Sequence, residues 1–309
     1  MAPSPDSDSR ASAWRGVEVD IRRAASAGGR ADIGRFSLEG TRIFERALEA
    51  GVPVEVALVA EGYQDDPSER VRRLIAGLER AGCVLHTVAD EVVERLTEGR
   101  GNGAILGLVR IPEQPGLAAV LAVRSQAHLH RPRRPLDVSQ APLSTEPGTP
   151  PPTAEAGGGE PGTLLVGVEI EDPGNVGAMV RTARASGAVF AAVGITDPFH
   201  PKAVRTSMGN LFKGPTLRFA TAAPLLAELR TLGVRTLGAV ARGGVPLHEA
   251  PVDARAVAVF MGSEAFGLPE EVTRAMDALV TIPMAAEVSS LSVNAAAAVF
   301  LYELRRRSV

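Results

Sequence analysis

Along residues 162–309 the chain alternates short, continuous apolar runs with amphipathic stretches. The runs at 163–170, 188–194, 235–241, 257–261 and 279–282 have the length and β-branched content of strands. The stretches near 175–187, 201–211, 223–232, 269–276 and 293–307 carry helical spacing. Strands that stay apolar on both faces and alternate with helices predict a parallel sheet covered on both sides, whose ligands gather at the carboxyl ends of its strands. Residues 16–125 predict a smaller α/β domain. Its helix at 40–51 places Ile43, Ala47 and Ala50 on one face, and 55–62 and 104–111 read as strands, as does Gly82-Cys83-Val84-Leu85 in the core.

Between these units, residues 126–161 are crowded with Pro, Gly, Ser and Thr and have no period, which predicts a disordered linker. Its His128, His130, Arg131, Arg133 and Arg134 read as a solvated basic tract. With 309 residues, 45% of them hydrophobic, the chain can build two modest cores. A net charge of −3 confines any nucleic-acid site to a local patch. A single cysteine, Cys83, excludes an intramolecular disulfide and a multi-cysteine zinc site, so no metal is expected. The amino terminus has no basic, apolar leader pattern and no apolar run is long enough for a membrane span, which predicts a cytoplasmic protein with no membrane partner. Gly99–Gly103 precedes a strand instead of opening a helix and is not a dinucleotide loop.

Chemistry-bearing residues fall in three clusters at predicted strand ends. In Glu171-Asp172-Pro173-Gly174-Asn175 and the helix after it, Val176, Val180, Ala183 and Gly187 share one face and Arg181 lies roughly opposite. Taken alone, Asn175 is an N-cap and Arg181 a solvated arginine. Gly262-Ser263-Glu264 follows an apolar strand, with small residues that admit a ligand to the backbone and an acid beside them. Taken alone, Ser263 or Glu264 opens a helix. The third cluster, 280–307, joins a strand and a turn holding Ser289, Ser290, Ser292 and Asn294 to an alanine-rich helix, also compatible with a plain terminal amphipathic helix.

In order and spacing the three clusters resemble the motifs of the SpoU/TrmH family of S-adenosylmethionine-dependent RNA ribose 2′-O-methyltransferases. Asn175 with Arg181 resembles the first motif, Gly262–Leu268 the second, and Ile282–Glu303 the third. Residues 21–51 are similar to the substrate-binding domain related to ribosomal protein L30e that many members carry. The resemblance implies an α/β fold: an L30e-like domain at 16–125 and, at 162–309, a parallel sheet of the SPOUT type whose carboxyl segment is threaded into a deep trefoil knot. It implies a homodimer with an active site shared between subunits. It places S-adenosylmethionine against Gly262, Ile282 and Leu291, with backbone near Ala241 and Met284.

The implied chemistry suits these residue types. A ribose hydroxyl is a poor nucleophile and needs a group to orient or deprotonate it and a cation to hold the neighbouring phosphate, which Arg181 can supply. By the resemblance Asn175 fixes the loop and the ribose, Glu264 positions the site's donors, and Ser290 contacts the nucleotide or Arg181. Arg22, Arg23, Arg30 and Arg35, in a stretch with few apolar neighbours, read either as phosphate contacts or as a solvated face; with Arg205 they are the candidate RNA contacts, and the resemblance implies 23S ribosomal RNA as the substrate, with tRNA as the alternative. In one respect the chain departs from the family: the usual Ser-Leu-Asn-Val-Ser is Ser290-Leu291-Ser292-Val293-Asn294 here, which leaves open whether Ser292 or Asn294 fills the third-motif role. Two rival readings are an RNA-binding protein that keeps the fold without catalysis, and a nucleotide-dependent enzyme acting on a small molecule. The retained Arg181 and Glu264 weigh against the first, and the lack of a phosphate loop against the second.

Overall fold

The computed structural model describes residues 5–98, 104–126, 162–252 and 256–308. The Gly99–Gly103 segment and all of the expected linker except Gln126 lie outside the described residues. The first half runs α1 (Pro5–Ala24), α2 (Ala27–Ile33), β1 (Arg35–Glu39), α3 (Thr41–Glu49), β2 (Val54–Ala60), α4 (Glu61–Gln64), α5 (Glu69–Arg80), β3 (Val84–Val88), α6 (Asp90–Thr97), β4 (Ile105–Arg110) and α7 (Leu117–Gln126). The second runs β5 (Thr163–Val168), α8 (Pro173–Ala185), β6 (Val189–Val193), α9 (Pro201–Thr206), β7 (Thr216–Phe219), α10 (Ala222–Thr231), β8 (Arg235–Ala239), β9 (Val245–Pro246), β10 (Val257–Met261), α11 (Glu270–Arg274), β11 (Ala278–Thr281) and α12 (Val293–Ser308).

Each half has its own sheet. The first is four-stranded, in the order β1-β4-β2-β3, with antiparallel pairs except β2 with β3. The second is seven-stranded, in the order β7-β6-β5-β10-β8-β11-β9, and every pair is parallel. All five residues of β6 and of β10 are buried, as parallel strands covered on both faces require. The carboxyl ends of β5, β10, β8 and β11 therefore lie side by side along one edge of the molecule.

Several local expectations are corrected. The helix expected from Asn175 starts at Pro173, because Asp172 is its N-cap: the Asp172 carboxylate accepts from Gly174 N and Asn175 N. On α8 and α3 the buried faces include Met179 and Phe44, whereas Gly187 and Ala50 lie past the last turn and are exposed. The expected helix 201–211 breaks after Thr206, since Met208 and Gly209 adopt left-handed conformations, and a 3₁₀ turn follows at Asn210–Lys213. Cys83 is buried but precedes β3, which is an edge strand with Val84 half exposed.

The two halves meet along a seam. The rings of Phe36 on β1 and Phe199 after β6 lie 5.0 Å apart. Arg30 of α2 pairs with Asp197, and Arg205 of α9 with Glu39 of β1, so the charges cross the seam in opposite senses. Apolar residues of both halves join one core, including Phe36, Phe44, Ala203 and Val204.

Candidate active site

At the carboxyl ends of β8, β10 and β11 opens a cavity of about 490 Å³, within the range of sites that enclose a nucleoside-sized ligand. Ala241, Gly262, Ile282, Met284 and Leu291 all line it, together with Glu264, Ser289 and Ser290. They come from three loops: Ala241 follows β8, Gly262 and Glu264 follow β10, and Ile282, Met284, Ser289, Ser290 and Leu291 follow β11. Thr281 Oγ1 donates to Ala241 O at 3.0 Å, which ties the end of β11 to the loop after β8.

The turn after β10 is folded tightly on itself. Gly267 N donates to Ser263 O at 2.7 Å, and Ser263 Oγ accepts from Ala265 N and Phe266 N. Gly267 takes a left-handed φ of 70°. Gly262 is required here, because a Cβ at that position would sit 2.1 Å from the Gly267 carbonyl carbon.

Glu264 does not open a helix of its own. Its carboxylate bridges two others: Asn175 Nδ2 of α8 donates to Oε2 at 3.0 Å, and Val293 N, the first residue of α12, donates to Oε1 at 3.0 Å. An acid held between two helix amino termini is favourably placed against both dipoles. Asn175 Oδ1 accepts no hydrogen bond from the described residues. Beside it, the Lys202 ammonium, 2.6 Å from Asp172 Oδ1, holds the Asp172 carboxyl below the usual carboxylate range, helped by the Gly174 and Asn175 amides.

The third motif divides its work. Ser292 Oγ accepts from Ala295 N and caps α12, whereas Asn294 Oδ1 accepts from Thr182 Oγ1 at 2.8 Å and fastens α12 to α8. Ser290 is exposed in the cavity and has no side-chain partner among the described residues. Arg181 is exposed on α8, with no hydrogen-bond or ion-pair partner among the described residues, and it does not line this chain's own cavity.

The arginines expected to meet RNA separate into two groups. Arg22, Arg23 and Arg35 are partly exposed and paired with Glu18, with Asp20 and Asp32, and with Glu55, respectively. Arg30 is a correction: its side chain is 4% exposed and its guanidinium is held by Asp197 and by Ala24 O, so no face is left for a phosphate. Arg205 is likewise turned into the seam against buried Glu39. Among the described residues no group of three or more His, Cys, Asp or Glu is placed to hold a metal ion, and no helix is long and apolar enough to cross a membrane.

Sequence reasoning missed Asp172, Thr182, Lys202 and Phe266. An acid directly before a proline at a helix start is a cap signature that identifies Asp172; the pairings of Lys202 and Thr182 leave no trace in local sequence.

This geometry has relatives. The profile of the SpoU rRNA Methylase family matches residues 162–302. An uncharacterized tRNA/rRNA methyltransferase of Synechocystis is 34% identical over 52% of this chain and 56% of that protein. The 23S rRNA (guanosine(2553)-2′-O)-methyltransferase RlmP of Bacillus subtilis is 33% identical over 44% of this chain and 55% of that one. The chain thus spans about half the length of these two relatives. The 23S rRNA (guanosine-2′-O-)-methyltransferase RlmB of Bordetella pertussis is 30% identical over 77% of this chain and 84% of its own length. A crystal structure of an AdoMet-bound rRNA methyltransferase from Sinorhizobium meliloti superposes with a TM-score of 0.69 at 25% identity, covering 94% of each chain. With a matching profile over the seven-stranded half and a relative alike over most of both chains, the protein belongs to the SpoU rRNA methylase family.

Proposed function

We propose that the protein transfers the methyl group of S-adenosylmethionine to a ribose 2′-hydroxyl of 23S ribosomal RNA. The observation that carries this reading is the cavity at the ends of β8, β10 and β11, with the Asn175–Glu264 bridge at its rim. The residues present fit the cofactor: Ile282, Met284 and Leu291 offer apolar walls, Gly262 and Ala241 offer close backbone, and the volume suits a nucleoside. When bound, the cofactor supplies an electrophilic methyl group on a sulfonium.

The chain's own residues then orient the acceptor. Glu264 holds the Asn175 amide nitrogen, which leaves Asn175 Oδ1 free to accept from a ribose hydroxyl. The Ser290 hydroxyl is available to the nucleotide in the same cavity. Arg181 binds the adjacent phosphate and favours the ionised hydroxyl. Because Arg181 stands outside its own chain's cavity, we assign it to the site of a second copy in a homodimer. The exposed Val299 and Tyr302 of α12 support such a contact. Arg22, Arg23 and Arg35 serve as contacts to RNA. In this reading residues 16–125 and 162–309 are two domains packed along the seam and joined by 126–161, and the enzyme works in the cytoplasm. The insertion of β10 between β5 and β8 supports the expected knotted carboxyl end.

The test is a map of 2′-O-methyl positions in total RNA from cells with and without the gene. One 23S position is expected to lose its methyl group and to regain it on incubation with pure protein and cofactor. Identical maps refute the reading, and a tRNA position in place of the 23S one corrects its substrate.

A further inference from the structure

The chain has nine phenylalanines, and eight of them pack into the cores. The ninth, Phe266, is 84% exposed. It stands on the turn after β10 and lines the cavity together with Ser289, Ser290 and Ala241. The ring is not on a loose loop: Ser263 Oγ accepts from the Phe266 amide, Gly267 N closes the turn on Ser263 O, and Glu264 next to it is fixed to α8 and α12. A phenyl ring held in water by a rigid turn forgoes the burial that stabilises the other eight, and it is pre-ordered for a partner.

The rim around it indicates which partner. Exposed Ser290 and Arg242, which directly follows the lining residue Ala241, have no hydrogen-bond or ion-pair partner among the described residues. The hydroxyls and the exposed ring of this lining, with a free guanidinium one residue beyond it in sequence, are groups that take a splayed nucleotide, with phosphate on the cation and base on the ring. Phe300, the other aromatic residue of the cavity, is buried and offers no face. A second copy is better matched by Val299 and Tyr302, which lie on another element at helical spacing. We propose that Phe266 is the platform on which an unpaired base of the substrate RNA stacks at the cavity mouth. This rests on the RNA-methylation reading above and adds to it the residue that grips the base.

The test uses the full chain and three variants, Phe266→Ala, Phe266→Leu and Phe266→Trp. Tritiated methyl transfer to RNA from cells lacking the gene gives KM and kcat, calorimetry gives cofactor affinity, and sedimentation gives the oligomeric state. Loss of one base stack corresponds to a rise in KM of about 5- to 150-fold for Phe266→Ala. Phe266→Leu is expected to behave like Phe266→Ala, and Phe266→Trp to bring KM back near wild type, with cofactor affinity unchanged in all three. An unchanged KM for Phe266→Ala overturns the proposal, and so does a wild-type KM for Phe266→Leu, which leaves only apolar bulk. A parallel loss of cofactor affinity gives the ring to the cofactor instead, and dissociation of the oligomer gives it to a second copy. If the wild-type protein methylates no RNA, the parent reading falls and this one with it; an active wild type with an indifferent Phe266→Ala sinks the platform alone.

Discussion

Replacing Glu264 tests whether one carboxylate holds the site together. In Glu264→Ala two hydrogen bonds are lost, each 3.0 Å long and each to an ionised acceptor. The Val293 amide is part-buried at the start of α12 and is left without a partner, a loss of about 1.5–2 kcal/mol. The Asn175 bond is exposed and contributes about 0.5–1 kcal/mol. The expected sum is about 2–3 kcal/mol of stability. Glu264→Gln keeps an oxygen for Val293 N, and its amide can donate to a turned Asn175, so its expected loss is under about 1 kcal/mol. Urea unfolding of both variants measures the difference, and calorimetry with S-adenosylmethionine shows whether the loosened turn also weakens the cavity. An alanine variant within about 0.5 kcal/mol of wild type refutes the bridge, since that is the size of an ordinary surface substitution. A glutamine variant as unstable as the alanine one shows that charge at the two helix ends, not hydrogen bonding, is what matters.

Arg181→Ala is expected to lower single-turnover methyl transfer by about 10²-fold or more with cofactor affinity unchanged, and Arg181→Lys to rescue poorly because an ammonium lacks the planar fork; a wild-type rate for the alanine variant refutes its role. Asp172→Ala removes the cap of α8 and is expected to cost about 1 kcal/mol at neutral pH. Because the folded-state pKa of Asp172 is depressed by Lys202, that contribution is present above the usual carboxylate range and fades as pH falls through the lowered value, so urea midpoints of variant and wild type are expected to converge in acid. Burial pushes the Cys83 thiol up to about 11, so at pH 8 a thiol reagent is expected to label it only after unfolding; rapid labelling of the native protein contradicts its burial.

Much of the second half was legible because a parallel sheet writes itself as unbroken apolar runs: Leu164–Val166, Val189–Val193 and Val257–Met261 are apolar without a break and shorter than an ordinary helix. β7 and β9 were not, since four and two residues are too few to show a period. Four of the five cavity residues, Gly262, Ile282, Met284 and Leu291, were legible through the second and third motifs, and Ala241 lay at the end of the expected strand 235–241. Arg30 was misread because an arginine among alanines and glycines looks solvated until its counter-ion arrives from 167 residues away. The same holds for Asn294, whose tie to Thr182 depends on how α12 lies across α8.

The crossed charges at the seam act as a key. The first half presents a cation at Arg30 and an anion at Glu39, and the second half presents their complements at Asp197 and Arg205. A first half grafted from a relative with either sign reversed brings like charges together in a part-buried place where water screens them weakly. Such a chimera can keep both of its sheets and still fail to join them. When halves are exchanged, compatibility at these two pairs is a requirement separate from overall sequence identity.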